Sequence, residues 1–117
     1  MASNDFINLM VYRGDDLSMS LTFEDRHSQD PIDITDWVIS FTVKEKTYHS
    51  DTDAKILIDV TTHIDPTNGR TAIFISHDLT DPLVGVYQYD IQFKTHANLI
   101  RTFARGQIEF IDDVSRR

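Results

Sequence analysis

Apolar and polar residues alternate along this chain with a period of two, and this alternation constrains the fold more than any other feature. Segment 17–23 has the sequence LSMSLTF, with Leu, Met or Phe at every odd position and Ser or Thr at every even one. Successive side chains of a β-strand point to opposite faces of its sheet, so such a segment predicts a strand with one buried face. Related apolar patterns recur in six further segments, which are 37–44, 56–60, 71–76, 86–93, 99–105 and 107–111.

The connections between these segments contain turn residues. Asn68-Gly69 is a strong signal for a tight hairpin, because both residues tolerate positive φ, and it predicts a turn between strands near 56–64 and 71–76. Gly106 separates the last two segments and predicts a bulge or bend. No segment shows a sustained 3.6-residue apolar period. We therefore expect an all-β fold of seven or eight short antiparallel strands, in a sandwich or a barrel.

Size and charge narrow the class of protein further. A chain of 117 residues predicts a single domain, residues 1–117, and the absence of cysteine excludes a disulfide framework. The net charge of −8 argues against nucleic acid as a partner, because phosphate contacts need clustered Lys and Arg. The first ten residues lack the basic and apolar regions of a signal peptide, and no apolar run is long enough to span a membrane. We expect no membrane association.

Two aromatic features make the expectation more specific. Trp37 begins segment 37–44, and Tyr87 and Tyr89 follow the corner at 78–85. This placement resembles immunoglobulin-like sandwiches, which have a Trp on the third strand and a Tyr at the start of the sixth. The resemblance implies that Tyr87 is the corner tyrosine and that Tyr89 takes the place of the second cysteine. The cysteine pair itself is missing.

The order of the motifs also resembles a family of small immunoglobulin-like domains in structural proteins of tailed bacteriophages. The chain resembles the N-terminal domain of phage upper baseplate proteins, and similar modules on tail-fibre and neck proteins. The matching stretches are RGDDLSMSLTF, PIDITDWVISFTVKEK, IDPTNGRTAIFIS, LVGVYQYDIQF and RTFARGQIEFIDDVS, which together extend over residues 12 to 115.

This resemblance implies a non-enzymatic structural component of the tail, baseplate or neck. Such a protein is synthesised in the bacterial host cytoplasm and resides in the virion. Its partners are other phage structural proteins and further copies of itself, so a homo-oligomer is expected in the particle, and no cofactor is needed. The alternative is a carbohydrate- or calcium-binding recognition module.

Two tripeptides suggest other functions at first sight. Arg13-Gly14-Asp15 is a sequence found in adhesion ligands, but the family resemblance implies that Gly14 forms the corner before the second strand. Ser76-His77-Asp78 has the residue types of a nucleophilic triad, but consecutive residues on a strand point to opposite faces. The Asp groups and the five scattered His residues lack the spacing of a calcium loop or a zinc site. We expect neither catalytic nor metal-binding residues.

The N-terminal run FINLMVY, residues 6–12, is apolar on both faces of its predicted strand. Such a strand needs a second protein layer or a partner, unless it crosses between the two sheets of one monomer. Basic residues near the C-terminus could dock on an acidic neighbour. The candidate assembly surface comprises Phe6, Ile7, Leu9, Met10, Tyr12, Arg101 and Arg105. The predicted core and turn residues are Gly14, Trp37, Phe41, Asn68, Gly69, Tyr87 and Tyr89.

Overall fold

A computed structural model describes residues 5–46 and 53–112 of the chain, with side chains from Ile7 onward. In these ranges the protein consists mainly of β-strands, as the alternation predicts, with one single-turn helix, α1 (His77–Thr80), and one 3₁₀ turn (Pro66–Asn68). The strands are β1 (Asp5–Phe6), β2 (Leu9–Tyr12), β3 (Leu17–Thr22), β4 (Val38–Lys44), β5 (Ile56–Val60), β6 (Arg70–Ile75), β7 (Gly85–Lys94) and β8 (Ile100–Ile111).

The strands form a larger and a smaller sheet. The larger sheet has the order β1–β8–β7–β4–β5, with β2 also paired to β8, and the smaller sheet consists of β3 and β6. The expectation of purely antiparallel strands is wrong at one edge, because β1 and β2 both run parallel to β8. Alternation predicts which face of a strand is buried and does not specify which strand lies beside it, or in which direction.

Apolar side chains from both sheets pack into one core. Phe41 on β4, Ile73 on β6 and Phe110 on β8 are almost completely buried. Trp37, immediately before β4, is 8% exposed, and its ring stacks on that of Phe93 with centroids 4.8 Å apart. The expectation that Trp37 and Phe41 belong to the core is confirmed.

His63 links the two sheets from the connection between β5 and β6. Its Nε2 lies 2.8 Å from the carbonyl oxygen of Trp37, next to β4. Its Nδ1 lies 2.8 Å from the hydroxyl oxygen of Thr71, a buried residue of β6. The imidazole is thereby hydrogen-bonded to Trp37 beside the larger sheet and to Thr71 in the smaller sheet.

The turn at residues 65–70 differs from the predicted two-residue hairpin. Asp65 and Arg70 form an isolated bridge that encloses four residues, and only Gly69 of the Asn68-Gly69 pair has positive φ, at 73°. The strands on either side of the turn do not pair with each other, since β5 pairs with β4 and β6 with β3. The chain reverses at Gly69 as expected, but it passes from one sheet to the other.

The region around Gly106 also differs from the prediction. β8 continues through Gly106, and the bulge lies three residues earlier, where Ile91 and Gln92 pair with Ala104 and Thr102 and leave Phe103 unpaired. A Cβ atom on Gly106 would lie 2.1 Å from the carbonyl oxygen of Ile7. The glycine is therefore required for close approach of the N-terminal segment, not for a bend.

Candidate assembly surface

The N-terminal segment forms one edge of the larger sheet. β1 and β2 both pair with β8 in one continuous register, with Phe6 beside Arg105 and Leu9 beside Ile108. Between them the main-chain N–H of Ile7 donates to the carbonyl oxygen of Arg105 at 2.8 Å. The side-chain oxygen of Asn8 accepts from the N–H of Gln107 at 3.2 Å, so the segment remains attached along its length.

Only one face of β2 is buried. Val11 belongs to the core and Leu9 packs partly against it, whereas Met10 is 70% exposed and Tyr12 is 55% exposed. The segment therefore does not cross between the sheets, and that alternative is wrong. The side chain of Phe6 lies outside the part of the molecule that the structure describes.

Met10 and Tyr12 belong to a larger apolar surface on the outer face of the sheet. The register places Met10 beside Glu109, and Glu109 in turn beside Val86 of β7, which is 53% exposed. Tyr12 lies beside Ile111, which is half-buried. We call Met10, Tyr12, Val86, Glu109 and Ile111 the Met10 patch.

The sequence interpretation assigned only part of this patch. Val86 and Ile111 were missed because they join it through pairing with β8, and Met10 and Glu109 are almost a hundred residues apart in the chain. A signal was available in segment 86–93, where Val86 is the apolar residue at a position that alternates with polar Gln88, Asp90 and Gln92. A single exposed apolar side chain is common on protein surfaces, so Val86 becomes informative only through its place beside the rest of the patch.

The two arginines of the candidate surface lie at different places. Arg105 pairs with Asp90 of β7 and lies beside Phe6 in the sheet, so it adjoins the N-terminal edge. Arg101 pairs with Phe93, beyond the point where β1 begins, and its guanidinium donates to the carbonyl oxygen of Ile100 at 3.1 Å. The structure thus groups Arg105 with the N-terminal strand and separates Arg101 from it.

Arg101 instead borders an apolar pocket of about 240 Å³ at the end of the molecule. Phe23, Trp37 and Phe93 form its floor, and Leu99 lies at its rim. The aromatic rings of the floor pack mainly on one another, with Phe23 in edge-to-face contact with both Trp37 and Phe93. They do not form a flat exposed platform of the kind that stacks on a sugar ring.

The two tyrosines of β7 make different contacts. Tyr87 packs its ring edge-to-face against Phe110. Tyr89 makes the long-range hydrogen bond, its hydroxyl donating to the carbonyl oxygen of Ile7 at 2.6 Å. Burial of Tyr89 raises the pKa of its phenol above 10.0. Tyr89 thereby fastens the N-terminal edge to the sheet.

The Arg13-Gly14-Asp15 segment forms the corner between β2 and β3. The N–H of Asp15 donates to the carbonyl oxygen of Tyr12, and Gly14 has φ of 81°, which is the geometry of a type II turn. The Arg13 side chain is only 16% exposed, and its Nε donates to the carbonyl oxygen of Asp81 at 2.8 Å. Thr80 receives a hydrogen bond from the N–H of Gly14 and donates one to the carbonyl of Asp15. The tripeptide is held against the end of α1.

Ser76, His77 and Asp78 lie at the start of α1, not on a strand, so the geometric reason given for excluding a triad is wrong. The hydroxyl of Ser76 accepts a hydrogen bond from the N–H of Asp78 and caps the helix. The His77 ring lies 3.0 Å from the carboxylate of Asp16, which also accepts from the His77 N–H. The serine oxygen is thus engaged with the backbone, and the histidine with Asp16.

The carboxylates of Asp25 and Asp33 accept hydrogen bonds from residues in their own turns. The Thr35 hydroxyl and N–H donate to Asp33 and lower the pKa of its carboxyl, and the N–H groups of Ser28 and His27 do the same for Asp25. Within residues 5–46 and 53–112, no three His, Cys, Asp or Glu side chains are arranged to hold a metal ion. In the same ranges, no helix is long and apolar enough to cross a bilayer.

Comparison with known proteins gave no relative, since no protein-family model and no curated protein sequence matches this chain.

Proposed function

We propose that this protein is a non-enzymatic structural component of a tailed-phage particle and acts through contacts with neighbouring proteins. The observation that carries the proposal is the Met10 patch, a mainly apolar surface on the outer face of three neighbouring strands, β2, β8 and β7. The register places Glu109 between the apolar side chains of Met10 and Val86, and contiguous exposed apolar groups are typical of protein–protein contacts. The phage setting itself is supported by the order and spacing of the sequence motifs.

We further propose that the fold is an immunoglobulin-like sandwich. In that fold strands C, F and G share one sheet, and strands B and E share the other. The neighbouring strands β8, β7 and β4 fit the order G, F, C, and the pair β3 and β6 fits B and E. The position of Trp37, next to β4 and stacked on Phe93 of β7, also supports the assignment.

The assembly proposal is tested on purified virions and on binding to their structural proteins. Mass spectrometry of particles should detect the protein, and Met10→Glu should weaken its binding to the neighbouring subunit because it replaces an exposed apolar side chain of the Met10 patch with a charged one. Leu57→Glu is the matched control, since Leu57 is 51% exposed on β5, at the other edge of the sheet. Absence from virions, or equal binding by both variants, would contradict the proposal.

A polar concavity favours carbohydrate binding as a second candidate function. Its volume is about 150 Å³, and its lining includes Thr42, Gln88, Asp90 and Arg105 on three neighbouring strands. Hydroxyl, amide and charged groups of this kind can bond sugar hydroxyls. A glycan array probed with wild type and with Gln88→Leu tests this candidate, which requires a glycan signal that the variant loses.

A further inference from the structure

In the part of the chain that the structure describes, strand β3 has one neighbour in its sheet and an open edge on its other side. It pairs with β6 from Leu17–Ile75 to Thr22–Arg70. Just beyond β3, the N–H of Phe23 donates to the carbonyl oxygen of Gly69 at 2.8 Å. This bond shows which residues of β3 direct their main-chain groups toward β6. In an antiparallel pair, alternate residues direct both main-chain groups to the partner. The odd residues of β3 therefore bond β6, and the main-chain groups of its even residues point away.

These outward main-chain groups belong to Ser18, Ser20 and Thr22. Outside the ladder, no backbone hydrogen bond from the described residues reaches them. Edge strands are commonly blocked by charged residues, proline or bulges, and β3, with the sequence LSMSLT, has none of these. Among residues 5–46 and 53–112, its edge is open to a further strand.

The inward side chains of β3 are also incompletely covered. Leu17, Met19 and Leu21 pack against the core, yet each is only half-buried. Within the described residues the smaller sheet has two strands and the larger sheet has more, so the layer that the smaller sheet adds over the core is narrow. A strand added at β3 would cover apolar surface and satisfy main-chain groups together.

The sequence of β3 indicates which strand could be added. Residues 17–21 read L-S-M-S-L, the same in both directions. Antiparallel pairing of two copies about Met19 places Leu17 against Leu21 and Ser18 against Ser20. Ser18 and Ser20 are both residues whose main-chain groups point to the open edge, so their groups can exchange hydrogen bonds in this register.

Charge does not oppose this pairing, although the chain carries a net charge of −8. Continuing the register beyond the palindrome places Asp16 opposite Thr22 and Asp15 opposite Phe23. No carboxylate is thus opposite another carboxylate, an arrangement that would be destabilising across strands.

We propose that β3 pairs antiparallel with β3 of a second copy of this chain. The twofold axis passes between the two Met19 residues, and the two smaller sheets become one continuous sheet. The partner is thus identical to this chain, and the contact is distinct from the Met10 patch. The dimer does not depend on the phage setting.

The first test removes one outward N–H. Ser20→Pro deletes a donor that the monomer does not use in the β3–β6 ladder, and proline is tolerated on an edge strand in that orientation. Ser20→Ala is the matched control, because it retains the N–H. In sedimentation velocity over a range of concentrations, wild type and Ser20→Ala should dimerise, while Ser20→Pro should dissociate at least about tenfold more readily. Circular dichroism should show that Ser20→Pro is folded.

The second test uses charge to check the register. Ser18→Lys/Ser20→Lys places like charges opposite each other in the dimer, and so does Ser18→Glu/Ser20→Glu. Each double variant alone should be monomeric, and an equimolar mixture should form a heterodimer. A wild type that remains monomeric at the highest concentration, or a Ser20→Pro variant that dimerises like Ser20→Ala, would refute the proposal. So would a mixture of the double variants that stays monomeric.

These outcomes are separate from those of the virion experiment. A monomeric wild type that is present in particles would refute the β3 dimer and leave the assembly proposal intact. A protein that forms the β3 dimer but is absent from particles would refute the assembly proposal and leave the β3 dimer intact.

Discussion

At the scale of single residues, Gly106 and Tyr89 explain how the N-terminal strand is held. Gly106 has no Cβ, so the main chain at Ile7 can lie against β8. Tyr89 pairs with Gly106 across β7 and β8, and its hydroxyl donates to the same Ile7 carbonyl oxygen. Two residues near the middle of the sheet thereby fix the position of its edge, and with it the Met10 patch.

Gly106→Ala should destabilise the protein by about 1–3 kcal/mol, the usual cost of overpacking a site that has no room. The new methyl would overlap the carbonyl oxygen of Ile7, which lies 2.1 Å from the Cβ position. Urea unfolding measures the effect, with Gln107→Ala at the exposed neighbouring position as the control. If the two variants unfold at the same urea concentration, the close approach at Ile7 is wrong.

Tyr89→Phe should cost about 1 kcal/mol at neutral pH, the typical net value of a hydrogen bond, because Ile7 loses its donor. The raised pKa of Tyr89 predicts a second effect. A raised folded-state pKa gives a contribution that is complete below the unfolded value of 10.0 and is lost as the pH rises through the folded value. The stability difference between wild type and Tyr89→Phe should therefore shrink in strongly alkaline solution.

Thermal melts of both proteins from neutral pH to above pH 10 measure this difference. Tyr12→Phe serves as the control because Tyr12 is largely exposed. A gap between wild type and Tyr89→Phe that stays constant with pH would show that the phenol is not buried in the way described.

At the scale of elements, the conformation of each connection depends on the residues that pack against it as well as on its own turn residues. The corner at residues 13–15 is bonded to α1 through Arg13 and Thr80. The turn at residues 65–70 lies against the chain that follows β3, and a Cβ on Gly69 would be 2.4 Å from the carbonyl oxygen of Phe23. Gly14 and Gly69 both have positive φ, and each lies against a neighbouring element of the fold.

Gly69→Val should destabilise the protein by more than about 2 kcal/mol, because a β-branched residue resists positive φ and has no room there. The loss arises from contact with the main chain at Phe23 and Ile32, not from a broken β5–β6 hairpin. Chemical denaturation of Gly69→Val beside Asn68→Ala, whose position has no positive φ, separates the glycine requirement from general turn effects. Equal midpoints would contradict it.

At the scale of the whole molecule, one core joins the two sheets. The core cluster includes Ile39 and Phe41 of the larger sheet and Ile73 and Ile75 of the smaller one. His63 adds a polar link between Trp37 and Thr71. Neither sheet has an apolar core of its own within the described residues, so we expect them to unfold together.

Trp37 is the single tryptophan of the chain and lies in this joint core, so its fluorescence reports on tertiary packing. The transition followed by fluorescence should coincide with that followed by far-ultraviolet circular dichroism, as in two-state unfolding. Fluorescence that changes at a lower denaturant concentration than the dichroism would show that the sheets separate before their strands are lost.

The candidate surface was only partly predictable. Exposed Met10 and Tyr12 follow from a run that is apolar on both faces, because one sheet face is all that a single core can cover. Val86 and Ile111 join them only through pairing with β8, and Arg101 is separated from them by the length of that strand. A local pattern contains no information on such distant neighbours.

Sequence patterns alone predicted the all-β class, the positions of the main strands, the burial of Trp37 and Phe41, and the chain reversal at Gly69. All of these depend on the period of a strand or on the φ of one residue, which are local properties. Only the tertiary structure decided that β1 and β2 run parallel to β8, that Gly106 accommodates Ile7, and that Tyr89 makes the tie to the edge. Each of these joins segments far apart in the chain, and their energy comes from packing and hydrogen bonds that exist only after the strands have been brought together.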